Sequence, residues 1–178
     1  MPAVAATLEK LKAAIRDVPD FPKPGILFKD ITPLLQSPEL FKASVERLAG
    51  PFRSKGITHV ASVESRGFIF GAPVAYQLNA GYIPIRKKGK LPGKTISYTY
   101  DLEYGTDTLE MHADAVDANS RVLLIDDVLA TGGTAFACSQ LVKKLKAHVV
   151  GLSFVIELEF LRGREKLRGY DVLTLLRF

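Results

Sequence analysis

The segment Val122-Leu-Leu-Ile-Asp-Asp-Val-Leu-Ala-Thr-Gly-Gly-Thr134 carries most of the information about the fold. Apolar residues are followed by two aspartates and a Thr-Gly-Gly turn, which predicts a buried strand that passes through a tight loop into a helix. Gly132 and Gly133 permit backbone angles that other residues resist, and they leave the loop amides uncovered. Such amides and the helix dipole together form an anion site. We therefore expect this loop to bind a phosphate group.

Predicted strands and helices alternate on both sides of this segment. Thr95–Tyr100 and Thr108–His112 predict a β excursion, and Pro84 favours an edge strand or a strand end. The alternation predicts an α/β fold with a mostly parallel sheet flanked by helices. Further strands are predicted at residues 57–63, 81–86, 121–126, 149–158 and 171–176, with helices at 65–78 and after Gly133.

The N-terminal part of the chain predicts two helices separated by irregular structure. Leu8, Leu11 and Ile15 have helical spacing, and Ser37 followed by Pro38 is typical of a helix start. Phe21-Pro-Lys-Pro-Gly25 excludes regular structure, so Ile26-Leu-Phe-Lys-Asp30 is expected to be a loop or a short extended segment.

Composition limits the class of protein. A chain of 178 residues fits one domain, and its single cysteine, Cys138, excludes an internal disulfide framework. No stretch is apolar and long enough to span a bilayer, and no signal peptide is visible, so we expect a cytoplasmic protein without a membrane partner. The net charge of +5 suggests an anionic partner, but no basic helix or ribbon for nucleic acid is visible.

The two aspartates distinguish this loop from other phosphate loops. Asp126 and Asp127 would repel a phosphate unless they accept hydrogen bonds, as from vicinal ribose hydroxyls, or face Mg²⁺. No lysine follows the glycines, which disfavours a nucleoside-triphosphate loop, and the Gly-x-Gly-x-x-Gly spacing of dinucleotide-binding proteins is missing.

The segment 122–134 resembles the signature by which type I phosphoribosyltransferases bind 5-phosphoribosyl 1-pyrophosphate (PRPP). The resemblance implies one phosphoribosyltransferase domain, residues 1–178, with a small N-terminal hood (1–33), a flexible β lid (86–112) and a PRPP loop (122–134). It also implies that Asp126 and Asp127 hold the ribose hydroxyls. The residues that it assigns to the 5-phosphate are Ala130, Thr131, Gly132, Gly133 and Thr134.

Other segments resemble the members of this family that use adenine. They are Phe21-Pro-Lys-Pro-Gly-Ile-Leu-Phe-Lys-Asp-Ile-Thr-Pro33, Val63-Glu-Ser-Arg-Gly-Phe68, Arg86-Lys-Lys-Gly-Lys-Leu-Pro-Gly93, Leu102-Glu-Tyr-Gly105, Glu157-Leu158 and Gly163-Arg-Glu-Lys-Leu167. The resemblance implies that the Phe28 ring stacks on adenine and that the backbone of Leu27 and Lys29 binds the edge of the base. Leu158 would close this pocket from the other side.

A second anion site is implied at Glu64-Ser65-Arg66, directly after a predicted strand. The guanidinium of Arg66 suits a diphosphate because it bonds two oxygens at once. The resemblance suggests a strained Glu64–Ser65 peptide, and whether this peptide is cis stays open. The pyrophosphate-binding residues that it implies are Glu64, Ser65, Arg66, Arg86, Lys87, Lys90 and Tyr104.

The lid provides the expected catalytic chemistry. Breaking the bond to pyrophosphate gives the ribose oxocarbenium character, and a closed lid would keep water from that carbon. The resemblance implies two catalytic residues, Arg66 and Glu103, with Glu103 as the general base that takes the proton from adenine.

The resemblance implies that adenine and PRPP are converted to AMP and pyrophosphate. Mg²⁺ is expected as a cofactor held mainly through PRPP and water, without a direct protein ligand, and the enzyme is expected to be a homodimer. Two alternatives stay open: a transferase for an oxo-purine, and a PRPP-sensing transcription regulator, which would need an added DNA-binding domain.

Overall fold

A computed structural model describes residues 7–101 and 105–178. Within those ranges no helix is long and apolar enough to cross a membrane. The chain divides into two compact units at Arg47 and Leu48. The elements that precede this division are α1 (Leu8–Ala13), β1 (Arg16–Val18), β2 (Phe28–Asp30), α2 (Thr32–Gln36) and most of α3 (Pro38–Ala49).

In the first unit, both predicted helices are confirmed. The Thr7 side chain accepts a hydrogen bond from the Lys10 amide at the start of α1, and the Ser37 hydroxyl accepts one from the Leu40 amide at the start of α3. Two elements were not predicted: β1, which pairs antiparallel with β2, and α2. An ion pair of 2.6 Å between Arg16 Nη2 and Asp30 Oδ2 joins the two strands.

The second unit is built on one seven-stranded sheet, in the order β5-β6-β4-β3-β7-β8-β9. Strands β4, β3, β7, β8 and β9 are parallel, whereas β5 and β6 form an antiparallel hairpin, so the predicted α/β class is confirmed. Its elements are β3 (His59–Val63), α4 (Gly67–Gln77), β4 (Gly81–Lys87), β5 (Thr95–Asp101), β6 (Thr106–His112), β7 (Arg121–Leu129), α5 (Gly133–Lys144), β8 (His148–Glu157) and β9 (Val172–Arg177), with 3₁₀ helices at Gly50–Phe52, Glu159–Leu161 and Gly163–Leu167.

Helices α4 and α5 cover opposite faces of this sheet. Alternate residues of β3 point to opposite faces. Ser62 points toward α4, where a Cβ atom on Gly71 would lie 2.3 Å from the Ser62 hydroxyl. Ala61 and Val63 instead belong to the core that includes the apolar face of α5, with Cys138 buried among them. Because α4 and α5 cover both faces of the sheet, the carboxyl ends of the strands remain accessible at its edge.

The prediction of an edge strand at Pro84 is wrong, because β4 is internal to the sheet. The proline is tolerated because β4 pairs with β6 only at Arg86 and Lys87, beyond Pro84. The Ile85 carbonyl accepts a hydrogen bond from the Glu64 amide, so the backbone of Ile85 faces β3. Backbone groups of successive residues in a strand face opposite sides, so the backbone of Pro84 faces away from β3, toward the side on which β6 does not yet pair.

Candidate active site

The carboxyl ends of β3 and β7 open into one cleft of about 420 Å³. Ser62 pairs with Ile125; β3 ends one residue later, at Val63, whereas β7 continues to Leu129. The lining residues are 63–66 and 126–135, so the two segments that the sequence selects as anion sites face the same space. Ligands of open parallel sheets bind at such strand ends.

The turn of the PRPP loop has the geometry of an anion-binding helix start. Gly132 has φ +79°, in the left-handed region that favours glycine, and α5 begins at Gly133. The backbone of Gly163 lies against the rear of this turn. A Cβ atom on Gly163 would lie 2.0 Å from the Ala130 carbonyl oxygen, and one on Gly132 would lie 2.3 Å from the Gly163 oxygen. The supporting role of Gly163 was not predicted.

The two aspartates differ in their surroundings. Asp127 Oδ2 lies 2.6 Å from Arg66 Nε, and the Asp127 amide donates to Asp126 Oδ1. Burial, and then the charge of Asp127, raise the pKa of Asp126 well above its ordinary value. A group that donates hydrogen bonds, or a cation, would favour the ionised form of the Asp126 carboxyl.

Glu64 fastens the end of β3 to the end of β4. Its carboxylate accepts hydrogen bonds from Arg86 Nη2 at 3.0 Å and from the Lys87 amide at 2.6 Å. Burial raises the pKa of Glu64, but these hydrogen bonds outweigh it, so the pKa lies below its ordinary value and the group stays ionised. Arg86 also donates to the Lys90 carbonyl. The Glu64–Ser65 peptide, left open by the sequence, is cis.

Two carboxylates hold the basic segment at the base of the predicted lid. Lys87 Nζ lies 3.2 Å from Asp107 Oδ2, and Glu110 accepts a hydrogen bond from the Gly89 amide. Lys90 is exposed. Two predicted residues of the lid, Glu103 and Tyr104, lie outside the described residues.

The hairpin of β5 and β6 contacts the PRPP loop through Tyr100. The Tyr100 hydroxyl lies 3.1 Å from the Thr134 hydroxyl. This contact was not predicted, because it joins residues that are far apart in the sequence.

The residues predicted to bind adenine lie in both units. In the first unit, Phe28 and Lys29 belong to β2, and the Phe28 ring contacts Phe21 edge-on with centroids 5.2 Å apart. Leu27 precedes this strand and is exposed. In the second unit, the Leu158 amide donates to the Leu129 carbonyl beside the PRPP loop.

The residue before Leu158, Glu157, is a buried carboxylate at the centre of an ionic cluster. Glu157 binds Arg164 through two hydrogen bonds, of 2.9 Å and 2.6 Å, and accepts a third from the Thr174 hydroxyl. Arg164 also donates to the Val172 carbonyl. The cluster joins the 3₁₀ helix that begins at Gly163 to the last residue of β8 and to the first half of β9.

A metal centre built from protein ligands alone is not present in residues 7–101 and 105–178, where no three His, Cys, Asp or Glu side chains form a metal-binding group. The acidic groups of the cleft are Glu64, Asp126 and Asp127, and Glu64 is engaged by Arg86.

Comparison with known proteins identifies the family. The phosphoribosyl transferase domain family matches residues 31–173. An adenine phosphoribosyltransferase from Koribacter versatilis is 55% identical over 170 residues, which cover 96% of this chain and 93% of the relative. The chain belongs to the adenine phosphoribosyltransferase family. It is accordingly an enzyme of the glycosyltransferase class.

Solved structures of adenine phosphoribosyltransferases share the fold over nearly all of the chain. The protein from Thermoanaerobacter pseudethanolicus is 52% identical with a TM-score of 0.93, and the match covers 97% of this chain and 100% of that one. The protein from Saccharomyces cerevisiae, solved with an imino-altritol bisphosphate and adenine, is 42% identical with a TM-score of 0.90, and the match covers 95% and 98%.

Proposed function

We propose that this enzyme transfers the phosphoribosyl group of PRPP to adenine, giving AMP and pyrophosphate in purine salvage. The observation that carries the proposal is the common cleft of the Thr-Gly-Gly-Thr turn, the Asp126-Asp127 pair and Glu64-Ser65-Arg66. A phosphorylated sugar with vicinal hydroxyls and a diphosphate matches these three features in one molecule.

PRPP is proposed to bind with its 5-phosphate on the amides of residues 130–134 and its ribose hydroxyls on the aspartates. The raised pKa of Asp126 supports this assignment, because hydroxyl donors would stabilise a carboxylate that is otherwise buried beside another. Arg66 would bind the pyrophosphate, as would the peptide groups of Glu64 and Ser65. The contact between Arg66 and Asp127 would keep the Arg66 guanidinium in the cleft before PRPP binds.

Closure of the lid, residues 86–112, is proposed to bring Arg86, Lys87, Lys90 and Tyr104 to the pyrophosphate. In the transition state the bond between the anomeric carbon and the pyrophosphate oxygen breaks, and negative charge grows on the leaving group. Cations placed there stabilise that charge, and exclusion of water protects the electrophilic carbon.

The residues proposed to bind adenine are Phe28, whose ring would stack on the base, Leu27 and Lys29, whose backbone would bind its edge, and Leu158. The relative from Saccharomyces cerevisiae, solved with adenine, supports this choice of base. Backbone carbonyl and amide groups match the amine donor and the ring-nitrogen acceptors of adenine without a charged side chain.

Glu103 is proposed as the general base. As N9 of adenine forms its bond to the anomeric carbon and pyrophosphate departs with the bonding electrons, the proton of N9 passes to the Glu103 carboxylate. We expect Glu103→Gln to lower the single-turnover rate of AMP formation by about 100-fold while PRPP affinity changes less than threefold. A Glu103→Gln enzyme with the wild-type single-turnover rate would exclude this role, and absence of AMP formation by the wild type would overturn the function.

Mg²⁺ is proposed to arrive with PRPP rather than at a resident protein site. Mg²⁺ bound to the diphosphate would neutralise part of the leaving-group charge and would reduce the repulsion between the anionic substrate and the acidic groups of the cleft, Asp126 and Asp127. We expect omission of Mg²⁺ to weaken PRPP binding in calorimetry without a change in the melting temperature of the unliganded enzyme.

A homodimer is proposed on the basis of an exposed apolar stripe on α4. Ile69, Ala72 and Tyr76 lie on one face of that helix, and Tyr76 is 89% exposed. We expect Tyr76→Glu to shift the mass in light scattering toward the monomer, whereas Phe160→Glu, at another exposed aromatic residue, leaves it unchanged. A dimer that persists in both variants would exclude this face.

The single buried cysteine is consistent with a proposed cytoplasmic location.

A further inference from the structure

Strand β5 runs along α5 and is fastened to it at three points. Lys144 Nζ donates to the Ser97 carbonyl at 2.6 Å, and the rings of Tyr98 and Phe136 pack with centroids 6.4 Å apart. The third point is the contact of 3.1 Å between the hydroxyls of Tyr100 and Thr134. Of these three, only the Tyr100 contact reaches the proposed phosphate ligands.

The Tyr100 ring is held directly on the turn of the PRPP loop. A Cβ atom on Gly133 would lie 3.3 Å from Tyr100 Cδ2, so the ring edge occupies the space beside that glycine. Burial raises the pKa of the Tyr100 hydroxyl, which therefore keeps its proton at neutral pH and remains a donor.

We propose that Tyr100 is a positioning residue that couples occupation of the 5-phosphate site to the β5–β6 hairpin. The inference rests on the proposed function of the PRPP loop. In the unliganded enzyme either hydroxyl of the pair can donate to the other. A bound phosphate accepts a hydrogen bond from the Thr134 hydroxyl. The Thr134 oxygen is then left to accept a hydrogen bond from the Tyr100 hydroxyl.

The resulting chain runs from Tyr100 through Thr134 to the phosphate. Donation to an anion makes the Thr134 oxygen a stronger acceptor, so the ligand tightens the contact between hairpin and loop. Linkage makes the effect reciprocal: the factor by which PRPP stabilises the hairpin is the factor by which the fixed hairpin raises PRPP affinity. Tyr98, two residues earlier on the same strand, has no such link and offers a matched control.

The test is hydrogen exchange of the amides in residues 95–101 and 106–112, with and without PRPP, alongside calorimetric PRPP binding. We expect PRPP to slow exchange there in the wild type. In Tyr100→Phe, which keeps the ring, we expect this PRPP-induced slowing to shrink and the Kd for PRPP to rise, each by about three- to tenfold. Tyr98→Phe should match the wild type in both measurements.

Thr134 variants provide a second test of the same chain. Thr134→Ser keeps a hydroxyl and should keep the coupling, whereas Thr134→Val should abolish it. Adding Tyr100→Phe to Thr134→Val should then have no further effect on the PRPP-induced slowing.

The outcomes separate this inference from the proposed function. A purely structural role of the Tyr100 hydroxyl would speed exchange equally in the free and PRPP-bound enzyme, and an unchanged PRPP-induced difference in Tyr100→Phe would overturn the coupling. Wild-type enzyme that binds PRPP without any slowing in the hairpin would overturn it too. Wild-type enzyme that does not bind PRPP would overturn the proposed function itself.

Discussion

Two glycines from distant parts of the chain shape the rear of the PRPP loop. Gly132 is needed for its positive φ, whereas Gly163 is needed because the Ala130 carbonyl and the Gly132 amide occupy the space of a side chain. The turn and the backbone of Gly163 are therefore in direct contact, with no room for a side chain between them.

Replacement of Gly163 by alanine should therefore damage PRPP binding. The added methyl group would lie 2.0 Å from a backbone oxygen, which cannot rotate away as a side chain would. We expect the Kd for PRPP to rise at least tenfold and the free energy of unfolding to fall by about 1–3 kcal/mol, as for overpacked interiors. Calorimetric titration and urea denaturation measure the two effects.

Gly50→Ala is the control for this substitution, since no atom lies within 4 Å of the added Cβ. It should retain wild-type PRPP affinity. Equal PRPP affinity in Gly163→Ala and the wild type would show that the loop does not depend on this contact.

Individual site residues could be predicted from the sequence where their chemistry depends on near neighbours in the chain. Asp126, Asp127 and Gly132 stand within seven consecutive residues, at the end of β7 and in the turn after it, so their types and spacing predict the cleft that they line. Gly163 and Tyr100 act on the same loop from elsewhere in the chain, and only the folded structure relates them to it. The roles of Glu103 and Tyr104 stay predictions.

One buried carboxylate, that of Glu157, joins the end of β8, the first half of β9 and the 3₁₀ helix Gly163–Leu167. Glu157 is 5% exposed, and hydrogen bonds from Arg164 and Thr174 satisfy its oxygens. Because Arg164 follows Gly163 directly, this cluster also fixes the residue that supports the PRPP loop.

Glu157 should make the stability of the enzyme depend on pH. The hydrogen bonds from Arg164, opposed by burial, lower the pKa of Glu157 below the ordinary value of 4.5. Its contribution is therefore fully present above pH 4.5 and is lost as the pH falls through the lowered pKa. We expect Glu157→Gln to reduce the free energy of unfolding by about 2 kcal/mol at pH 7, with a smaller deficit at pH 3.5.

The control for this prediction is Glu165→Gln, which removes an exposed ion pair with Arg162. Denaturant titrations should show a change within about 0.5 kcal/mol at either pH. A deficit of Glu157→Gln that is the same at pH 7 and pH 3.5 would contradict a stabilising role of the ionised carboxylate.

The long elements were predictable because their signals are local, and the missed ones have none. β1 is only three residues long, and α2 begins at Thr32, where the preceding Ile31 provides no side-chain cap. Pro84 shows the other limit. The residues around Pro84 predict a strand. A proline can stand inside this sheet because β6 pairs only beyond it, and the order of the strands cannot be predicted from any single segment.

At the scale of the molecule, the sheet order is what assembles the cleft. β3 and β7 are neighbours although α4, β4 and the β5–β6 hairpin separate them in the chain, so Arg66 meets Asp127. The parallel arrangement assembles the proposed phosphoribosyl site, whereas the choice of base is proposed to depend on the hood segment 21–33 and on Leu158. The specificity for adenine is consequently the part of the account that the sheet alone does not explain.

The most direct test measures the rate of nucleotide formation from PRPP in the presence of Mg²⁺. Four bases are compared side by side: adenine, hypoxanthine, guanine and xanthine. We predict kcat/KM for adenine at least about 1,000-fold above that for each oxo-purine, because a 6-oxo group cannot supply the donor that the backbone acceptors require. Brisk product formation from an oxo-purine with none from adenine would contradict the account.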